Sequence, residues 1–211
     1  MEIIAGHTEM VQSTKADPEP RNDAVTRTPG AVLWFTGLSG AGKTTIAAQV
    51  YRELERRGVP ADYLDGDAIR SVFPATGFSR AERDAHVRRV AYLASRLEHH
   101  GIVVITALIS PYRESRALAR TLCRNFVEIY VSTPLEVCEA RDVKGLYAKA
   151  RRGEISQFTG VDDPYEPPAG AELILDTTRV TAEDARELVL GHLGATVGRR
   201  RMPVTAAFRR P

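Results

Sequence analysis

The chain has 211 residues, 43% of them hydrophobic and 27% charged, with a formal net charge of +2. That balance excludes global disorder, and its short apolar runs exclude a membrane-spanning helix. The mild charge does not by itself argue for a nucleic-acid partner. The two cysteines, Cys123 and Cys138, form neither a metal pattern nor a disulfide framework, which suits a reducing cytoplasm. No charged start followed by an apolar stretch opens the sequence, so no secretory leader is expected.

Residues 1–29 lack apolar periodicity and read as a flexible arm. Residues 31–36 (AVLWFT) form an unbroken run of β-formers, as in a strand buried on both faces. From Thr44 to Arg57, Ile46, Ala47, Val50 and Leu54 recur at helical spacing, and Gly58 ends the pattern. Residues 62–64 suit a second strand. Ser79 with Glu82 forms a capping box that opens a helix carrying Val87, Val90, Ala91, Ala94 and Leu97 on one face. Residues 102–106 and 126–131 read as buried strands. Thr133, Pro134 and Glu136 suit the cap, first and third positions of another helix. Residues 173–175 are a last strand, and Thr181 caps a final helix reaching about Leu193. From 194 to 211 a tail with Arg199-Arg200-Arg201 is expected to fray. Strands alternating with helices imply right-handed crossovers and a mostly parallel five-stranded sheet, covered on both sides in an α/β/α sandwich.

Gly37-Leu38-Ser39-Gly40-Ala41-Gly42-Lys43-Thr44 fills the GxxxxGK[ST] pattern directly between a predicted strand and a predicted helix. Glycines let backbone N–H groups curl around phosphate oxygens, and the helix start adds positive partial charge. Lys43 then reaches the β- and γ-phosphates, and the Thr44 hydroxyl is placed to ligate Mg²⁺. An NTP site is the conclusion. Asp65-Gly66-Asp67 follows the second strand, at the sheet edge where such folds bind ligands. Its carboxylates suit a proton acceptor or a hold on Mg²⁺ through water, although a turn also uses this tripeptide. Residues 144–152 (KGLYAKARR) carry four basic side chains. They suit either a lid that neutralises transferring phosphate or a solvated surface helix.

Longer stretches sharpen the reading. GLSGAGKTT (37–45, ending at Thr45), LDGD with Arg70, GFS with Arg83, VRRV, ITALISPYR (105–113), residues 133–168 and ELILDT (172–177) together resemble the adenylylsulfate (APS) kinases. The resemblance spans about residues 30–178. It implies a P-loop kinase domain over 30–193 with a mobile lid at about 144–165. It implies transfer of the ATP γ-phosphate to the 3′-hydroxyl of adenosine 5′-phosphosulfate, giving PAPS and ADP, with Mg²⁺ and in the cytoplasm. Small molecules are then the partners, with no nucleic acid and no membrane. The family is often dimeric, so a homodimer stays open.

Carried over by position, the resemblance places the acceptor among Asp67, Arg70, Phe78, Arg83, His86, Ile109, Ser110, Lys144 and Phe158, and sets Arg141 on the ATP adenine. Phe78 and Phe158 would stack on the acceptor base, Arg70 and Arg83 would hold its anion, and Lys144 would face the reacting phosphate. Read from the residues alone, the two phenylalanines serve equally as core or loop anchors. Ser110 has been described in this family as a phosphoserine intermediate. Direct in-line transfer needs only positioning, with Ser110 as a donor and Asp67 or Asp65 taking the hydroxyl proton. Catalytic roles therefore fall to Lys43, Asp65, Asp67 and Ser110.

The chain departs from the family on the acceptor side. Ala68 and Ile69 stand where Asn-Val is usual, residues 71–76 form a loop about one residue shorter, and His86 replaces an amide. Drift explains these changes. A different 5′-nucleotide anhydride as acceptor, such as a cytidine diphosphate derivative, explains them too. A nucleotide-binding regulatory module and a nucleic-acid binder using the 199–201 tail are the readings from other classes.

Overall fold

The computed structural model describes residues 29–73 and 77–198. The arm at 1–28 and the basic triplet at 199–201 lie outside them.

Five strands form the sheet: β1 (Ala31–Thr36), β2 (Ala61–Asp65), β3 (Val103–Ala107), β4 (Phe126–Val131) and β5 (Leu173–Leu175). Their order is β2-β3-β1-β4-β5, and every pairing is parallel. β1 is central, so its carboxyl end opens between β3 and β4, the crevice where such sheets bind ligands. All six β1 residues are buried, as a continuous apolar run requires of a strand covered on both faces.

The helices are α1 (Lys43–Arg56), α2 (Gly66–Val72), α3 (Arg80–His99), α4 (Arg113–Leu122), α5 (Leu135–Arg141), α6 (Leu146–Arg151) and α7 (Ala182–Gly198). Alternation along β1 sorts the core into two layers. Ala31, Leu33 and Phe35 pack with α1 and α7, whereas Val32 and Trp34 pack with α3 and α4. Together the layers make a three-layer α/β/α sandwich.

Most predicted elements lie within a residue or two of their places. The capping box opening α3 is present in both directions: Ser79 accepts from the Glu82 amide, and the Ser79 amide donates to Glu82 at 3.0 Å. Thr181 accepts from the Asp184 amide at 3.1 Å. Two expectations are corrected. The Thr133 hydroxyl does not cap α5, whose cap position is Pro134; it reaches instead to the Ala41 carbonyl at 3.0 Å. And α7 continues to Gly198, so residues 194–198 belong to the helix rather than to a frayed tail. α2 and α4 were not foreseen.

Candidate active site

The loop between β1 and α1 turns through Gly37, Gly40 and Gly42, all with positive φ. At Gly37 a side chain is forbidden twice over, by φ 147° and by a Cβ that would collide with the Val131 carbonyl. Gly42, at φ 101°, leads directly into Lys43 at the start of α1.

The loop's outward carbonyls are clamped by side chains from three other segments. The Tyr147 hydroxyl of α6 donates to Ser39 O at 3.0 Å, and Arg141 of α5 donates to Gly40 O at 3.3 Å. The hydroxyls of Thr133 and Thr177 approach Ala41 O at 3.0 and 3.1 Å. Arg141 also donates to the Thr177 hydroxyl at 2.8 Å. With the carbonyls held outward, the amides are left to face a phosphate. Tyr147, Thr133 and Thr177 are the clamps that sequence reasoning missed; a hydroxyl at a strand's carboxyl end or inside a basic run carries no signature of its own.

Lys43 is buried and donates to Leu38 O at 2.7 Å, curled over the loop it serves. Burial drives its pKa down to about 8, opposed by the nearby Cys138 thiol; Lys144 lowers it further and Asp67 raises it. Those last two groups form an exposed ion pair, Lys144 Nζ to Asp67 Oδ2, at 2.6 Å. The phosphate lysine, an acidic group from α2 and a basic group from the segment before α6 thus converge. Asp65 caps α2, its Oδ1 accepting from the amides of Asp67 and Ala68 at 2.9 and 3.0 Å. Thr44 and Thr45 are exposed on the first turn of α1.

On the other side of β1, Ser110 sits in a hydroxyl network. The Thr36 hydroxyl spends its one proton on Ile109 O at 2.8 Å, so it accepts from Ser110 Oγ at 2.9 Å and from Tyr165 Oη at 2.9 Å. Trp34 Nε1 donates to Ser110 Oγ at 3.2 Å. Ser110 is buried at φ 39°, and its carbonyl accepts from Arg116 at 2.6 Å. Arg116 is buried too, paired with Glu128 at 2.8 Å and donating to Glu166 O at 2.6 Å. Ser110 Oγ has therefore already given its proton to Thr36.

Around the acceptor side, Arg83 is buried and all three of its guanidinium nitrogens donate within the protein: to Phe78 O at 2.6 Å, to the Thr159 hydroxyl at 2.5 Å and to Gln157 O. In this conformation it ties the start of α3 to the 157–159 turn. Arg70 donates to Gly77 O at 2.8 Å and lies over the Phe78 ring, 4.8 Å from its centroid. Phe78 is 58% exposed, whereas Phe158, expected to stack on the same base, is instead buried edge-on against Tyr147 at 5.0 Å between centroids. His86 is buried with neither ring nitrogen hydrogen-bonded. Burial above all, then Arg70 and Arg89, pushes its pKa down to about 4, so it is neutral at pH 7.

A family model for adenylylsulphate kinase matches residues 29–176. The chain belongs to the adenylylsulphate kinase family. The adenylyl-sulfate kinase of Synechococcus sp. (strain JA-3-3Ab) is 49% identical over 165 residues, which are 78% of this chain and 94% of that protein. The Mycobacterium tuberculosis APS kinase, solved in complex with AMPPNP and APS, is similar at TM-score 0.73 and 44% identity, over 76% of this chain and 96% of that one. A hexameric APS kinase from Thiobacillus denitrificans matches 80% of this chain but 29% of its own, at 33% identity and TM-score 0.62. Among the described residues, no helix of this family member is long and apolar enough to cross a membrane.

Proposed function

We propose that the chain phosphorylates the 3′-hydroxyl of adenosine 5′-phosphosulfate with ATP, giving PAPS and ADP. The observation that carries this reading is the convergence of Lys43, Asp67 and Lys144 at the mouth of a formed phosphate loop. ATP lies with its phosphates on the amides of residues 37–45 and its adenine beside Arg141 and Thr177. Lys43 releases Leu38 O and turns to the β- and γ-phosphates, where the anion restores its full charge.

Thr44, Asp65 and Asp67 are oxygen donors of the class Mg²⁺ takes, although no cluster of three or more ligating side chains exists among the described residues. Thr44 directly, and Asp65 through water, would hold the ion alongside the nucleotide. Bound there, Mg²⁺ supplies charge neutralisation on the β- and γ-oxygens.

Asp67 exchanges Lys144 for the acceptor's 3′-hydroxyl and takes its proton as the oxygen bonds to the γ-phosphorus. The bond to the β,γ-bridging oxygen breaks, and its electron pair leaves with ADP. Lys144, freed from Asp67, balances the transferring charge. Phe78 offers its face to the acceptor base, Phe158 backs the pocket wall, and Arg70 with Arg83 holds the loops around the anion. Neutral His86 and the Ile109-Ser110 turn border the nucleoside. Transfer is direct: a Ser110 that already donates to Thr36 and accepts from Trp34 is built as a fixed hydrogen-bonding group.

Incubation with [γ-³²P]ATP and APS tests this. Label is expected at the 3′-position of the product by mass spectrometry, one ADP per product. Label trapped on the protein by ATP alone, and lost in Ser110→Ala, would overturn direct transfer. An acceptor other than APS, the alternative raised by Ala68 and His86, is not favoured by relatives that carry the adenylyl-sulfate kinase name.

A further inference from the structure

The carboxyl end of β2 holds a polar atom that neither the fold nor the reaction above uses. Side chains alternate along a strand, so Tyr63 and Asp65 share one face of β2. That face is the α1 side: Tyr63 packs into the layer containing α1, its ring 6.2 Å from that of Tyr51 and tilted by 30°. α1 begins at Lys43 and Thr44, so the Tyr63 ring points its hydroxyl into the corner between the start of α1 and the end of β2.

Tyr63 Oη is shielded from solvent and reaches no partner at full hydrogen-bond geometry, although the Thr44 hydroxyl and the Asp65 carboxylate lie near enough to interact with it. The groups around it are the Thr44 hydroxyl and the carboxylates of Asp65 and Asp67. A tyrosine hydroxyl keeps its proton near neutral pH and can donate it. A buried hydroxyl without a partner costs the folded chain its desolvation penalty and returns nothing, and phenylalanine would fill the same space without that cost. Meanwhile Asp65 Oδ1 is fully occupied by two amides at the start of α2, which leaves Oδ2 for another donor.

We propose that Tyr63 is a positioning residue for the metal–nucleotide complex, its hydroxyl donating to the Asp65 carboxylate and orienting it toward the hydration shell of the ion held beside Thr44. Outer-shell donors of this kind fix ligand orientation and typically change metal affinity by tenfold or more. The inference rests on the ATP half of the proposed function and is independent of which acceptor is used.

The test is AMPPNP binding by calorimetry, with and without Mg²⁺ and with no acceptor present, on the full-length wild type and Tyr63→Phe, alongside thermal melting. The variant is expected to bind metal-free AMPPNP within about twofold of wild type and to melt at the same temperature or higher. Its affinity gain on adding Mg²⁺ should fall by about three- to tenfold. An unchanged gain in Tyr63→Phe would overturn the inference and leave the ATP site standing. A wild type that gains nothing from Mg²⁺ would instead overturn the ATP reading, and this inference with it.

Discussion

The two halves of the site are built differently. The ATP half is made of backbone held from outside: four side chains hold three loop carbonyls, and Lys43 has its own acceptor. The proposed acceptor half is made of side chains. His86 is buried with both nitrogens unpartnered, Phe78 is open, and Asp67 and Lys144 hold one another. A phosphate is recognised by a conformation that the chain can adopt alone, because glycines and a helix start suffice. A nucleoside is recognised by side-chain donors and acceptors, and those proposed here are either unpartnered or paired with one another.

Substitutions can break that contrast. The largest effect is expected for Lys43→Ala, which should lower kcat by about 10³-fold through loss of charge stabilisation on the transferring group. Because it removes a buried cation, it should not lower the melting temperature; a large loss of stability would show that Lys43 also supports the fold. Asp67→Asn should lower kcat by about 10²-fold while leaving AMPPNP affinity nearly unchanged, since proton transfer belongs to the acceptor half. A kcat within a factor of a few of wild type would remove Asp67 from that role.

Arg83→Met separates the halves by location. Three carbonyl and hydroxyl partners lose a charged donor, so stability should drop by about 2 kcal/mol and the acceptor KM should rise by about tenfold. Metal-free nucleotide affinity should hold. An equal loss on both ligands would mean that the halves are one unit.

The last prediction concerns His86 and is read on stability alone, with no change expected in kcat near neutral pH. In the folded chain it stays neutral down to about pH 4, whereas an unfolded histidine titrates near 6.5. Between those values the unfolded chain binds a proton that the folded chain refuses. Stability is therefore full above about pH 6.5 and is lost as pH falls through the window, by about 3 kcal/mol in total. His86→Asn should flatten the curve over that window in urea titrations run at several pH values. Parallel curves for the two proteins would mean that His86 is not held neutral.

The ATP half was legible because its signal is local. The glycine spacing, the preceding apolar run and the following periodicity each named the same element, and the capping box at Ser79 named the start of α3. What stayed hidden depended on distant partners. α4 buries Ser115, Arg116 and Ala119, so its inward face shows no apolar stripe to find. α2 has seven residues, begins at a glycine and is held by the Asp65 cap, which from sequence reads equally as a turn. Thr133 carries the composition of a helix cap, yet the Ala41 carbonyl, 92 positions away, takes its hydroxyl. Tyr63 looked like an ordinary strand residue until its hydroxyl proved to be buried without a partner.

The central claim is that the proposed acceptor half takes adenosine 5′-phosphosulfate despite Ala68 and His86. The direct measurement is kcat/KM by coupled ADP release with Mg-ATP across a panel of 5′-nucleotide anhydrides, the product phosphate located by mass spectrometry. The account predicts fast turnover with APS, 3′-phosphorylation, and at least about 10²-fold discrimination against cytidine diphosphate derivatives, because the wrong base leaves buried polar groups unpaired. Turnover of a pyrimidine anhydride with none of APS would contradict it.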